Sequence, residues 1–221
     1  MNKIMKAIIV TFFLTIVISA CKPARPTQDP KVLSGKVIYQ DDFSDPGTGW
    51  ETMTTQQGRV GYNNGTYRMT LKVPSYLSIA KANKVFNDTI IDVDVTKAAG
   101  TDKCSFGVVC RATDDRNFYI FLINSAGYYG IGKVVDGNGP VMLGTDGPNM
   151  LKTSDTIKKG NVTNHLRVDC INNTLALYIN GEKVSSVQDT ELGNGNIGFV
   201  TRTETDSVAD IRFDNLVVKN P

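Results

Sequence analysis

Histidine is almost absent from this sequence: His165 is the only one, and Trp50 is likewise the only tryptophan. A lone His with no Cys-x-x-Cys pair leaves no scaffold for a cysteine- or histidine-rich zinc site. No Gly-x-Ser-x-Gly elbow is present to supply a serine nucleophile for His165, so a Ser-His-Asp triad lacks its first member. A Walker-type loop is also missing, which removes the usual foothold for nucleotide chemistry. Neither sign of charge dominates. The chain has 24 basic and 22 acidic residues, and Lys3 and Lys6 are the only charges in residues 1–20, so the remainder carries 22 of each. With no net field to attract a phosphate backbone or an anionic lipid surface, nucleic-acid binding is excluded as a function class. Beyond residue 20 no stretch of helix length keeps a 3.6-residue apolar period, so long amphipathic helices are lacking too.

What is present begins with an export signal. Lys3 and Lys6 precede an acid-free apolar run, Ala7 to Ala20, of 14 residues. That is short of the roughly 18–20 residues that span a hydrocarbon core, and it fits a signal peptide over residues 1–20. The run ends Ile18-Ser19-Ala20-Cys21, which resembles the lipobox of bacterial lipoproteins. The resemblance implies cleavage before Cys21, a diacylglyceryl thioether on its sulfur, and an acylated (palmitate-type) amino end. Two or three acyl chains hold a protein to a membrane far more firmly than one. Residues 21–36, with three prolines and little apolar content, read as a flexible tether. The expected location is therefore a bacterial cell membrane or cell surface, facing away from the cytoplasm. The alternative is an uncleaved anchor helix with an incidental cysteine.

Residues 37–221 read as one all-β domain. Strand-like runs are expected near 37–43, 59–62, 65–72, 76–80, 89–96, 104–112, 117–124, 128–135, 164–171, 174–180, 182–187, 196–202 and 208–218. In Thr66 to Lys72 apolar and polar residues alternate, and Asn180-Gly181 marks a two-residue hairpin turn. About a dozen short strands at this spacing indicate a two-sheet antiparallel sandwich or jelly roll.

The order of motifs carries a resemblance. Asp42-Phe43-Ser44-Asp45 and Gly49-Trp50 open the domain, and Phe106-Gly107-Val108-Val109-Cys110-Arg111, Asn117-Phe118-Tyr119 and Gly127-Tyr128-Tyr129-Gly130-Ile131 follow. Leu177-Tyr178-Ile179-Asn180-Gly181, Gly195-Asn196-Ile197-Gly198 and Phe213-Asp214-Asn215 close it. Together they resemble the concanavalin A-like lectin/glucanase superfamily, in particular its laminin G-like and keto-disaccharide-hydrolase-like domains. This implies a concave sheet face that often holds a saccharide, with the opening and closing strands side by side. It says little of function, because the fold carries lectins, hydrolases and spacers alike.

Three cysteines remain after Cys21, an odd number for an exported protein. A Cys110–Cys170 bridge joins two strand-like segments, and the resemblance favours the same pair; Cys104 is then left over. Closing a loop of that length stabilises by about 3–4 kcal/mol in the chain-entropy account.

For a ligand, strand parity suggests a groove of Arg111, Tyr119 and Lys133, with Trp50 in the opening loop. Aromatic faces stack on pyranose rings while Arg and Lys bind hydroxyls. Taken singly, each aromatic among them reads more readily as a core residue. Asp42 and Asp214, near the joined ends of the domain, are candidates for a structural Ca²⁺, with turn hydrogen bonding as the alternative. Glycoside hydrolysis needs two suitably spaced carboxylates. Asp92 and Asp94 share one face of a strand, but the glucanase pattern Glu-x-Asp-x-x-Glu is absent there. Three readings follow: an anchored carbohydrate-binding module for an oligosaccharide or polysaccharide, a non-catalytic structural or protein-interaction module, and a glycoside hydrolase. The first is favoured, and no catalytic residue and no cofactor is assigned.

Overall fold

The computed structural model of the chain describes residues 35–147, 150–205 and 208–221. The expected leader, the lipidated Cys21 and the tether as far as residue 34 lie outside the described residues. In chain order the strands are β1 (Lys36–Asp41), β2 (Met53–Thr54), β3 (Gly58–Asn63), β4 (Thr66–Leu71), β5 (Leu77–Phe86), β6 (Thr89–Gly100), β7 (Ser105–Ala112) and β8 (Phe118–Asn124). They continue as β9 (Tyr128–Val135), β10 (Asn138–Met142), β11 (Lys152–Thr153), β12 (Thr163–Ile171), β13 (Thr174–Ile179), β14 (Glu182–Gln188), β15 (Gly195–Arg202) and β16 (Ala209–Asn220). One nine-stranded sheet runs β14-β13-β12-β6-β16-β4-β3-β2 with β1 also on β16; a seven-stranded sheet runs β10-β9-β8-β7-β15-β5 with β11 on β9. Every pairing is antiparallel. This is the expected two-sheet jelly roll.

Period-2 patterning builds the sandwich. Tyr67, Met69 and Leu71 of β4 are buried while Thr66, Arg68 and Thr70 turn outward. The predicted hairpin turn is real: Asn180 and Gly181 both have positive φ, at 51° and 92°, as the twist of the flanking strands demands. The opening and closing strands do pair, Asp41 with Leu216. β16 serves two neighbours on one edge, β4 along Ala209–Phe213 and β1 from Leu216 onward. A bulge makes the change possible: the register against β6 shifts between Asp214 and Val217, with Asn215 at φ 53°.

The core between the sheets is aromatic at its centre. Trp50 stacks on Phe199 at 4.5 Å, Phe199 stacks on Phe213 at 4.0 Å, and Phe43 meets Trp50 edge-on at 5.5 Å. The opening motif is therefore a latch. Trp50 Nε1–H donates to Tyr39 Oη (3.0 Å), and the Tyr39 hydroxyl donates to Asp41 (2.9 Å). Burial, with the carboxylate of Asp41 beside it, pushes the Tyr39 phenol up to about 12. Fully burying each such ring contributes roughly 1.5–3 kcal/mol.

The outer faces of the two sheets differ. On the seven-stranded sheet Val109, Ile120, Leu122 and Val200 form a second, fully buried aliphatic cluster with Phe118 and Val134. At Gly130 a Cβ would fall 2.3 Å from Met142 Cε and 2.7 Å from a Leu151 methyl, so those side chains lie directly against the backbone there and would have to shift for a larger residue. On the nine-stranded sheet β6, β12 and β16 turn charged residues outward, and several pair with one another: His165 with Asp94, Arg167 with Asp169 and Lys219 with Asp92.

Candidate functional site

The Cys110–Cys170 disulfide joins β7 in one sheet to β12 in the other, closing 60 residues of chain. Cys104 is free and buried. The bridge also places Arg111 where the loops of one end of the sandwich converge. Arg111 sits at a bulge, with φ 52° and a register shift on β15 between Asn196 and Gly198. Its guanidinium turns into the rim. Nη1 donates to Leu192 O (3.1 Å), and Nη2 donates to Asn172 O (2.6 Å) and to Asp88 Oδ1 (3.1 Å). Asp88 in turn accepts the Asn172 amide at 2.9 Å. One side chain, 6% exposed, thus ties the β5–β6, β12–β13 and β14–β15 loops together. Its Nε is buried and finds no partner among the described residues.

Tyr119 and Lys133 face each other across β8 and β9 and reach the same loop. The Tyr119 hydroxyl donates to Asp189 (2.6 Å) and accepts the Leu192 amide (3.0 Å). Lys133 Nζ binds Asp189 and Glu191, each at 2.6 Å. Burial disfavours the charged forms here, but the mutual hydrogen bonds win: Lys133 is held above and Asp189 below its usual range. Burial, with Asp189 beside it, raises the Tyr119 phenol. So Arg111, Tyr119 and Lys133 reach one loop segment, and not the open sheet-face groove that was expected. Tyr119 is an inward core residue, and all three are engaged in fixing the segment from Asp189 to Leu192.

Two adjoining clefts, each of about 410 Å³, open on this scaffold. The first is lined by Asn87, Asp88, Asn172, Asn173, Thr190 and Asn194 around Arg111. The second holds Lys133, Gln188, Asp189 and Glu191, and shares Asn173 and Thr190 with the first. Carboxamides offer donors and an acceptor on one planar group, so this rim can grip a polyhydroxylated ligand by hydrogen bonds. No aromatic side chain lines either cleft. The rim asparagines escaped the sequence reading because Asn in a turn looks like a turn former; Asn172 indeed has φ 49°.

The other expectations are corrected or relocated. Trp50 is not in a ligand groove; it is 4% exposed inside the aromatic stack. Asp42 accepts from Ser44 (2.6 and 3.0 Å) and Asp214 from the Asn215 amide (2.7 Å), and the described residues hold no cluster of three His, Cys, Asp or Glu suited to a metal ion. The glycine run Gly193-Asn194-Gly195-Asn196-Ile197-Gly198, which has dinucleotide-loop spacing, leads into β15, so no helix N-terminus stands behind it.

His165, Asp92 and Asp94 meet on the outer face of the nine-stranded sheet. His165 Nδ1 lies 2.8 Å from Asp94 and Nε2 lies 3.4 Å from Asp92; Lys219 Nζ donates to Asp92 (2.8 Å) and Asn215 to Asp94 (3.0 Å). Burial opposes ionisation of Asp92, but the hydrogen bonds from His165 and Lys219 prevail and hold it below the usual carboxylate range. A general acid for glycoside cleavage needs the opposite shift.

No protein-family model matches the chain, and no curated protein matches it in sequence. Solved structures do. The carbohydrate-binding module CBM66 from Bacillus subtilis is 17% identical, matching 78% of this chain and 96% of its own at a TM-score of 0.56. The Bacillus licheniformis β-glucanase is 12% identical over 85% of this chain and 100% of its own, with a TM-score of 0.58. The catalytic domain of an endo-1,3-β-glucanase (laminarinase) from Thermotoga petrophila RKU-1 is 7% identical over 84% of this chain and 98% of its own, with a TM-score of 0.59. At these identities the likeness establishes the concanavalin A-like jelly-roll fold and nothing finer.

Proposed function

We propose that the chain is a lipid-anchored, non-catalytic module of the bacterial envelope whose jelly roll binds carbohydrate at the loop rim around Arg111. The observation that carries this reading is the pair of adjoining clefts lined by Asn87, Asn172, Asn173, Gln188 and Asn194. They sit on loops that a disulfide and a buried arginine hold in place, so little ordering cost remains to be met on binding. The likeness in fold to the carbohydrate-binding module CBM66 agrees with it. Without a stacking aromatic, affinity rests on hydrogen bonds, each of which contributes roughly 0.5–1.5 kcal/mol. A dissociation constant on the order of 1 mM, about −4 kcal/mol, is the expected scale. Anchoring through Cys21 follows from the Ile18-Ser19-Ala20-Cys21 pattern; Cys21→Ser should move the protein from the membrane to the soluble fraction.

Calorimetric titration of the full-length chain in detergent with neutral oligosaccharides tests the binding. Saturable binding that Asn173→Ala weakens is the expected result; no saturation at millimolar sugar defeats the reading. The outer face of the seven-stranded sheet favours a second reading, a structural or protein-interaction module, because that face is packed with buried apolar side chains, its one ring, Phe118, included, and offers a sugar no exposed aromatic surface.

A further inference from the structure

Far along the nine-stranded sheet from His165, the outer face carries an excess of one charge that the rest of the chain does not. A cleft of about 390 Å³ opens there over β3, β4 and β16, and Arg59, Arg68 and Lys72 line it with Thr54, Asn63 and Asp210. Asp210 is committed to Arg68 through both oxygens, at 2.8 and 2.6 Å. Arg212 stands directly across from Arg68 on the neighbouring strand. Among the described residues no carboxylate pairs with Arg59, Lys72 or Arg212. Asp210 neutralises Arg68, so the positive charge left for a ligand here is that of Arg59, Lys72 and Arg212.

We infer that this cleft binds an anionic sugar chain, one bearing carboxylate or sulfate groups. Guanidinium forks match either group bidentately, and Thr54, Thr70 and Asn63 stand by for hydroxyls. Arg59 on β3 and Arg212 on β16 flank β4, a lateral separation of about 10 Å at two strand spacings. That separation suits repeated charges along a chain better than a single small anion. The site is distinct from the amide-lined rim, and neither depends on the other.

The test uses the full-length chain in detergent, titrated with an oligogalacturonate, a sulfated oligosaccharide, a neutral gluco-oligosaccharide and vesicles of phosphatidylglycerol. One or both anionic sugars should bind, and their relative affinities identify carboxylate or sulfate as the recognised group. Their affinity should fall about tenfold as salt rises from about 50 to about 300 mM. Arg59→Gln combined with Arg212→Gln should weaken binding about tenfold more and leave the melting temperature intact, while Lys183→Gln at the other end of the sheet should change nothing. Should the Arg variant melt early, Lys72→Gln alone carries the comparison. The inference fails if the neutral sugar binds equally well at this cleft, if the variants bind as the parent does, if only the vesicles bind, or if nothing saturates.

Discussion

The outward faces of the two sheets are built to opposite specifications. β7, β8 and β15 turn Val109, Ile120, Leu122 and Val200 outward, and all four are fully buried. β6, β12 and β16 turn Asp92, Asp94, His165, Arg167, Asp169 and Lys219 outward; Asp92 meets His165 and Lys219, Asp94 meets His165, and Arg167 meets Asp169. Arg167 makes two hydrogen bonds to Asp169 and lies 4.8 Å above the Tyr178 ring. Neither face is the aromatic- and arginine-lined groove that strand parity suggested. A sheet face whose polar groups satisfy each other has little left for a ligand. Uncommitted hydrogen-bonding capacity lies instead at the rim asparagines and in the arginine cleft.

Four variants put the contrast between the faces to the test. The largest effect is expected on the aliphatic face, where Ile120→Asp buries an unpaired charge and should cost roughly 5 kcal/mol or prevent folding. A variant that unfolds in denaturant near the parental midpoint would mean the face is not buried in solution. Between the faces, replacing both Cys110 and Cys170 with Ser should remove about 3–4 kcal/mol, and the slope of the denaturant curve should report any loosening of the unfolded state. On the polar face Asp94→Asn should cost no more than about 1 kcal/mol, because its partner His165 is partly exposed and salt-screened. A loss matching that of Ile120→Asp would erase the distinction between the faces.

The smallest effect is pH-dependent. Hydrogen bonds to Asp92 and Asp94 raise the His165 imidazole above its ordinary 6.5 despite partial burial. Its charge-dependent stabilisation is therefore fully present below about 6.5 and fades as pH rises through the raised folded value. The difference in melting temperature between the parent and His165→Gln should be wider at acidic than at alkaline pH. A gap that widens with rising pH would reverse the sign.

Local pattern made most of the fold legible. The alternation in β4 and the Asn180-Gly181 turn are observed, as is the pairing of the opening and closing strands that the family resemblance implied. β2, β10 and β11 went unseen because they are short, polar edge strands of two, five and two residues, placed by neighbours rather than by their own residues. The site was less legible. Parity put Tyr119 and Lys133 on one face, but could not tell the face between the sheets from the face outside them. It also could not foresee the bulge at Arg111, whose positive φ turns the side chain into the loops. The Asp92–Asp94–His165 contact was hidden for a related reason, since register sets His165 opposite Asp94 across 71 residues of sequence.

The rim around Arg111 is the proposed saccharide site. Backbone-amide NMR mapping of the full-length chain in detergent, during titration with a neutral oligosaccharide, tests it most directly. Shifts that saturate together at Asn87, Asn172, Asn173 and Thr190 to Asn194, and that vanish in Asn173→Ala, are predicted. Shifts confined to β7, β8 and β15, or none at millimolar sugar, would contradict it.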